Sequence, residues 1–302
     1  MTESRRFDHT CFDPGRFESG IEEIAFRTTS IPRTQTAMND EHRIEANRKL
    51  WNTRVSLHLA SKFYDVPGFL SGKSSLCGIE VDEIGPVSGK SLLHLQCHFG
   101  QDTLSWARLG ANVTGVDFSP EAIAAARNLA DQARQKAEFI EADVLQLPSE
   151  LDGRFDIVFT SFGTVGWLPD LERWATGIRR ALKPGGLFYM IDLHKTFLIL
   201  DPETGGVKYD YFGKQGPDEE ITAKTYADGL THEALPEYWW NHTFESLFRA
   251  LRNAGLNFED FREYPFCVYD LADTMDEIAP GRWVYRSLGG NIPYMYSLRA
   301  RG

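Results

Sequence analysis

Residues Lys90 to Asp117 read Lys-Ser-Leu-Leu-His-Leu-Gln-Cys-His-Phe-Gly-Gln-Asp-Thr-Leu-Ser-Trp-Ala-Arg-Leu-Gly-Ala-Asn-Val-Thr-Gly-Val-Asp. An apolar strand over Ser91 to Leu95 runs into a tight loop, then a helix, then a second strand over Asn112 to Val116 that ends on a carboxylate. Two parallel strands joined by a helix put the helix N-terminus and Asp117 at the carboxyl edge of a sheet, where nucleoside ligands are held. A phosphate-binding loop would read G-x-G-x-x-G, whereas among Gln96, Cys97, His98, Phe99 and Gly100 only the last is glycine. The loop therefore suits a nucleoside better than a pyrophosphate.

The same alternation continues outward. Further strands are expected at Ala137 to Glu141, Phe155 to Thr160 and Leu187 to Asp192. Between the second and third, Ser119 is an N-cap, Pro120 takes the first helical position, and Ala122, Ile123, Ala126, Leu129 and Ala130 form one apolar stripe. Between the fourth and fifth, Leu171, Trp174, Ala175, Ile178, Ala181 and Leu182 form another, stopped by Pro184-Gly185-Gly186. Strands alternating with helices imply a doubly wound α/β fold, mostly parallel, with right-handed crossovers. Glu41 to Tyr64 has helical periodicity and reads as an N-terminal helical cap, broken by Pro67-Gly68. Residues 1 to 40 show no sustained period and read as a loosely ordered arm, with Met38 as an alternative start. From Leu193 to Trp240 the rhythm is lost, so this stretch is expected to form a lid or a small inserted hairpin layer. A helix from Thr243 and a strand over Leu256 to Phe261 follow, and a last strand over Tyr294 to Arg299 is expected to pair antiparallel with the sixth at the sheet edge.

Composition bounds the partners. A chain of 302 residues with 42% hydrophobic content can bury the core of one elaborated α/β domain. A formal net charge of -11 opposes a nucleic-acid backbone and favours a small-molecule partner. Cys11, Cys77, Cys97 and Cys267 are scattered with no C-x-x-C pair, so neither a disulfide framework nor a zinc knuckle is indicated, and a cytoplasmic setting is expected. No apolar run approaches the roughly 18 residues that cross a bilayer, so no membrane partner is expected. Oligomeric state is not legible.

Four pieces in this order and spacing resemble the class I S-adenosylmethionine-dependent methyltransferases. They are the loop ending in Gly100; Gly115-Val116-Asp117-Phe118-Ser119-Pro120; Ala142-Asp143-Val144 before Leu147-Pro148; and Phe155-Asp156-Ile157-Val158 followed later by Leu182-Lys183-Pro184-Gly185-Gly186. The resemblance covers Lys90 to Leu193 well and the last sixty residues in outline. It implies a seven-stranded Rossmann-like sheet with an antiparallel C-terminal strand and S-adenosylmethionine as cofactor. The chain then divides into the arm (1–40), the helical cap (41–89), the cofactor-binding core (90–193), the lid insert (194–240) and the C-terminal part of the sheet (241–302).

By the same resemblance Asp117 accepts both ribose hydroxyls, Phe118 lies along the adenine, and Asp143 with Val144 receives the adenine ring. The plainer readings are a helix-capping acid for Asp117, core packing for Phe118 and a turn aspartate for Asp143. The first loop departs from the family: His94 replaces the usual strand acid, and Gln96 and His98 replace two usual glycines. The cofactor's amino-acid end must then be held differently, with Gln96, Gly100 and Gln101 as candidate amide donors. Cys97, His94 and His98 invite a metal reading, but strand alternation sends His94 and Cys97 to opposite faces and no carboxylate completes a set, so no metal is expected.

Methyl transfer is an in-line displacement at an already activated carbon, and the protein mainly aligns the acceptor and excludes water. His194, beyond the fifth strand, and His242 are the candidates for a general base, each equally compatible with a structural role. Trp51, Tyr64, Trp167, Tyr211, Trp239 and Trp240 are candidate acceptor contacts, although any one of them can be ordinary packing. As a set they favour a partly apolar or aromatic small molecule. Two other readings stand beside this one: a nicotinamide-dependent oxidoreductase, whose ribose Asp117 would also suit, and a non-catalytic cofactor-binding protein on the same fold.

Overall fold

The computed structural model describes residues 33–201, 203–213 and 216–302. Most of the expected arm, residues 1–32, lies outside the described residues, but helix α1 already runs from Arg33 to Ala60, ahead of the expected boundary at 41. Two short helices follow, α2 (Val66–Leu70) and α3 (Gly78–Ile84). Then comes the alternating core: β1 (Ser91–Leu95), α4 (Gln101–Arg108), β2 (Asn112–Asp117), α5 (Pro120–Ala133), β3 (Glu138–Glu141), β4 (Phe155–Ser161), α6 (Leu171–Ala181) and β5 (Leu182–Leu193). Beyond it lie α7 (Lys195–Leu198), the hairpin β6 (Asp218–Lys224) and β7 (Thr231–Trp239), helix α8 (Phe244–Asn253), β8 (Asn257–Tyr264), a second hairpin β9 (Met275–Ala279) and β10 (Arg282–Tyr285), and β11 (Met295–Arg301).

Local chemistry sets these elements. The Ser119 hydroxyl accepts the Ala122 N–H at 3.0 Å to start α5, and Asp170 accepts the Arg173 N–H at 3.0 Å to start α6. Arg179 and Arg180 fall in the last turn of α6, where positive charge suits the helix dipole. Every core-facing residue of the α6 stripe is buried, and Trp174 meets the ring of Phe188 edge-on. Strand β1 from Leu92 and strand β5 from Gly186 to Asp192 are buried without a break, as strands covered by helices on both faces must be. Each fully buried leucine or phenylalanine there contributes about 1.5 to 3 kcal/mol over its exposed state.

The main sheet has seven strands in the order β3-β2-β1-β4-β5-β11-β8. The five from β3 to β5 are parallel; β11 is antiparallel to both its neighbours. The last strand thus pairs with the sixth as expected, but it is inserted between that strand and β5, so the edge belongs to β8. This is the seven-stranded, doubly wound sheet expected from the sequence. Its strand order reverses between β1 and β4, which opens a crevice at their carboxyl ends.

Two additions cover that crevice. Asn47 of α1 donates its amide to the Tyr238 carbonyl at 2.8 Å and accepts the Tyr238 N–H at 2.9 Å, docking α1 along β7 as a further strand would dock. The excursion between β8 and β11 packs with α7 on a small core, Phe197, Cys267, Met275, Val284, Tyr285, Tyr294 and Met295. Among the described residues, no helix is long and apolar enough to cross a membrane.

Candidate functional site

A cavity of about 800 Å³ opens at the switch point. Its floor is built by the chain leaving the carboxyl ends of β1, β2, β3 and β4, and its roof by α1, the β6–β7 hairpin and the 265–293 excursion. Gln96, Gly100, Gln101, Asp117, Phe118, Asp143 and Val144, the residues assigned to the cofactor, all line it.

The first loop keeps the shape that glycines would give it. Gln96 has φ 55° and His98 φ 49°, both left-handed, a conformation that costs a side-chain-bearing residue roughly 1 to 3 kcal/mol. Gly100 is a position where no side chain fits: at φ 81° a Cβ would stand 2.7 Å from the Phe139 ring. Such strain persists where surrounding bonds enforce it, and here they do. The Gln96 amide donates to the Thr164 carbonyl at 3.0 Å, and the His98 N–H donates to Asp117 Oδ2 at 2.8 Å.

Asp117 is 8% exposed and faces the cavity. Its other oxygen accepts the Ser119 N–H at 2.9 Å. Burial pushes its carboxyl up to about 6, against the pull of the Ser119 and His98 amides. Asp143 accepts the Leu145 N–H at 2.8 Å and is also raised by burial, so it serves as a turn aspartate while facing the cavity.

Sequence reasoning missed Asp192, the acid at the end of β5. It accepts the N–H groups of Gly163, Thr164 (3.3 Å), Val165 (3.3 Å) and Leu193 (2.7 Å), and the Thr164 hydroxyl at 3.2 Å, and so shapes the loop that leaves β4. The signal was available: Met190-Ile191-Asp192 ends an apolar strand on a carboxylate just as Gly115-Val116-Asp117 does.

The roof is aromatic and histidine-rich. Trp51 lies edge-on to Trp167 with ring centroids 5.2 Å apart, and Trp167 edge-on to Trp239 at 5.1 Å. His58 Nδ1 lies 2.9 Å from His98 Nε2 and its Nε2 lies 2.5 Å from Thr225 Oγ1. The hydroxyls of Tyr64 and Tyr226 bond to each other, and Arg54 pairs with Glu237 at 2.6 Å. Burial pushes His58 down to about 3 and His98 well below its ordinary value, with the Arg54 charge acting in the same direction on both, so both imidazoles are neutral at pH 7. Phe63, Tyr226, Tyr269 and Leu271 also line the cavity and were not foreseen.

The expected acceptor contacts divide. Trp51, Tyr64, Trp167 and Trp239 line the cavity, whereas Trp240 and Tyr211 do not. Trp240 is buried and its backbone N–H donates to the Gly166 carbonyl at 2.7 Å; Tyr211 lies beside Lys195, 6.0 Å from ring centre to Nζ. Neither expected base lines the cavity. His194 caps α7, its Nδ1 accepting the Thr196 N–H at 3.0 Å, with Nε2 2.9 Å from Glu263. His242 donates Nε2–H to the Leu168 carbonyl at 2.6 Å and lines a separate pocket of about 40 Å³ behind the wall, with Asp192 and Lys195. The imidazoles that face the cavity are His94 and His98. Among the described residues no three His, Cys, Asp or Glu side chains converge as a metal cluster.

Comparison with known proteins fits this geometry. Residues 92–186 match the model of the methyltransferase domain family. An uncharacterised methyltransferase of Synechocystis is 32% identical over 127 residues, 42% of this chain and 58% of the relative. A ubiquinone biosynthesis O-methyltransferase of Xanthomonas oryzae is 29% identical over 141 residues, 46% of this chain and 59% of the relative. The match thus spans less than two thirds of either relative. A crystal structure from Listeria monocytogenes, titled as an S-adenosylmethionine-dependent methyltransferase, superposes with a TM-score of 0.52 at 17% identity, covering 74% of this chain and 96% of that one.

Proposed function

We propose, for a chain that carries a class I S-adenosylmethionine-dependent methyltransferase domain, that it transfers a methyl group from S-adenosylmethionine to a small, partly apolar or aromatic acceptor. One observation carries the reading: a buried carboxylate at the tip of β2, Asp117, is fixed by two backbone amides and faces a cavity large enough for a nucleoside and a second small molecule.

The residues present fit the cofactor. Asp117 would take the ribose hydroxyls, and Phe118, Asp143 and Val144 the adenine side. Gln96 Oε1 is a buried acceptor with no partner of its own, the kind of atom a bound polar group satisfies. When bound, S-adenosylmethionine supplies a methyl group already activated by its sulfonium. The chain's own task is then to align the acceptor and exclude water, which the roof of Trp51, Trp167, Trp239 and Tyr226 serves. His98 and His94 face the cavity as neutral imidazoles, and burial holds both so low that they are weak bases, suited to hydrogen bonding rather than to taking a proton. His194 and His242 act behind the wall, by capping α7 and holding the Leu168 carbonyl.

Titration with S-adenosylhomocysteine and with NAD tests the cofactor; binding of NAD alone would overturn the reading. Transfer of labelled methyl to a panel of phenols, amines and carboxylic acids tests the chemistry. Substitution of His194 or His242 by alanine should leave cofactor affinity unchanged.

A further inference from the structure

The amino-acid end of the cofactor carries an ammonium group, and β1 offers no acid to receive it. His94 stands there with Nδ1 2.8 Å from Thr103 Oγ1 and Nε2 3.4 Å from Ser161 Oγ, and its burial keeps it uncharged. A neutral imidazole offsets no positive charge. The same part of the cavity holds Asp102, in the first turn of α4 directly after Gly100 and Gln101. Ser161 Oγ donates to Asp102 Oδ2 at 3.2 Å, so β1, α4 and β4 meet through His94, Asp102 and this one serine.

Burial raises the Asp102 carboxyl above its ordinary value, against the pull of the Ser75 and Ser161 hydroxyls. A cationic group entering the cavity beside this partly buried carboxyl would offset that cost and favour its ionised form. Glu80, a buried acid nearby, accepts the Cys77 N–H at 2.8 Å and is pushed up to about 8. A second observation points to the same place. The Thr164 carbonyl fixes Gln96 Nε2, and this leaves Gln96 Oε1 buried without a donor beside the loop that begins at Ser161.

We propose that Asp102 is the carboxylate that receives the ammonium of the cofactor's amino-acid end, with Gln96 Oε1 as a second acceptor, so that the acid usual in the first strand has moved to the first turn of α4. The assignment rests on the methyltransferase reading. A first-turn aspartate can serve merely to offset a helix dipole. Asp102, however, takes its hydrogen bonds from serines outside α4 and faces the cavity.

The test compares two probes on the full chain by calorimetry: S-adenosylhomocysteine, which has the amino-acid end, and 5′-deoxy-5′-methylthioadenosine, which has the same nucleoside and sulfur without it. Asp102→Asn should weaken S-adenosylhomocysteine about tenfold to a hundredfold, the effect of losing a hydrogen bond to a charged group, and leave methylthioadenosine within about twofold. Equal loss for both probes, or none for either, overturns the proposal. Should Asp102→Asn fail to fold, Gln96→Leu gives the same reading through a smaller loss confined to S-adenosylhomocysteine. If the unaltered protein binds neither probe, it is the methyltransferase reading that falls.

Discussion

Along the sheet edge the cavity wall is tied by backbone amides, with Asp117 accepting from His98 and Ser119 and Asp192 gathering the chain from Gly163 to Val165. Across the cavity the roof is tied by side chains from segments far apart in sequence: His58 to His98 and Thr225, Arg54 to Glu237, Tyr64 to Tyr226. Amides held by a strand end and a helix start are in place once the local chain has folded. Side-chain pairs between α1 and the β6–β7 hairpin must each offset the ordering of two long groups, and a typical hydrogen bond nets only about 1 kcal/mol. The floor is thus held by local backbone bonds, and the roof by bonds of modest individual strength between distant segments.

The largest expected effect falls on the floor. Asp117→Ala should cost about 1.5 to 3 kcal/mol of affinity for S-adenosylhomocysteine, the range for a hydrogen bond to a charged group, while the fold is retained. Unchanged affinity in calorimetry would break the comparison at its root. Slightly smaller is the effect of Gly166→Ala. A Cβ there would stand 2.0 Å from the Trp239 ring, so the roof must shift, at about 1 to 3 kcal/mol of stability read by urea unfolding. Because only the roof moves, methylthioadenosine affinity should hold while acceptor turnover falls.

The same division explains what the sequence disclosed. Strand ends and helix starts are local matters, so Asp117, Ser119-Pro120 and Gly100 announced the sheet and the backbone that fixes the Asp117 carboxyl beside the cavity. Gln96 and His98 could be read as departures from glycine, and the structure shows them holding the left-handed backbone that glycine would adopt. The roof was illegible for the opposite reason. Its contacts join residues such as His58 and Thr225 across more than half the chain, and no spacing pattern encodes them. Tyr269 reaches the cavity because a hairpin packs on Cys267 and Tyr294, a satellite core without the periodicity of a helix. His194 stood beyond the fifth strand and His242 beside an aromatic run in the sequence, yet their side chains turn to Thr196 and Leu168.

Acidity should separate floor from roof by less than a factor of ten per pH unit. Burial raises Asp117 to about 6, and ribose hydroxyls bind the ionised form, so S-adenosylhomocysteine affinity should rise from pH 5 to 7 and then level. The sign for folding is opposite: a carboxyl raised in the folded state stabilises the fold most below its ordinary value, and that contribution is lost as pH rises through 6. Binding and stability should therefore move in opposite directions with pH. In Asp117→Ala the rise in affinity should flatten; an undiminished rise would assign it to another acid, Asp102 or Asp143.

The smallest effect tests the strain in the floor. With φ at 55°, Gln96 carries a left-handed cost that glycine escapes, but glycine gives back roughly 0.5 to 1 kcal/mol through the freedom of its unfolded chain. Gln96→Gly also loses the bond to the Thr164 carbonyl, worth about 1 kcal/mol, so the opposing terms largely offset and stability should change by no more than about 1.5 kcal/mol. Gln96→Val, whose branched Cβ crowds the left-handed region, should destabilise by more than that. Equal losses for the two would mean that the Gln96 bond to Thr164, rather than backbone conformation, governs this corner of the floor.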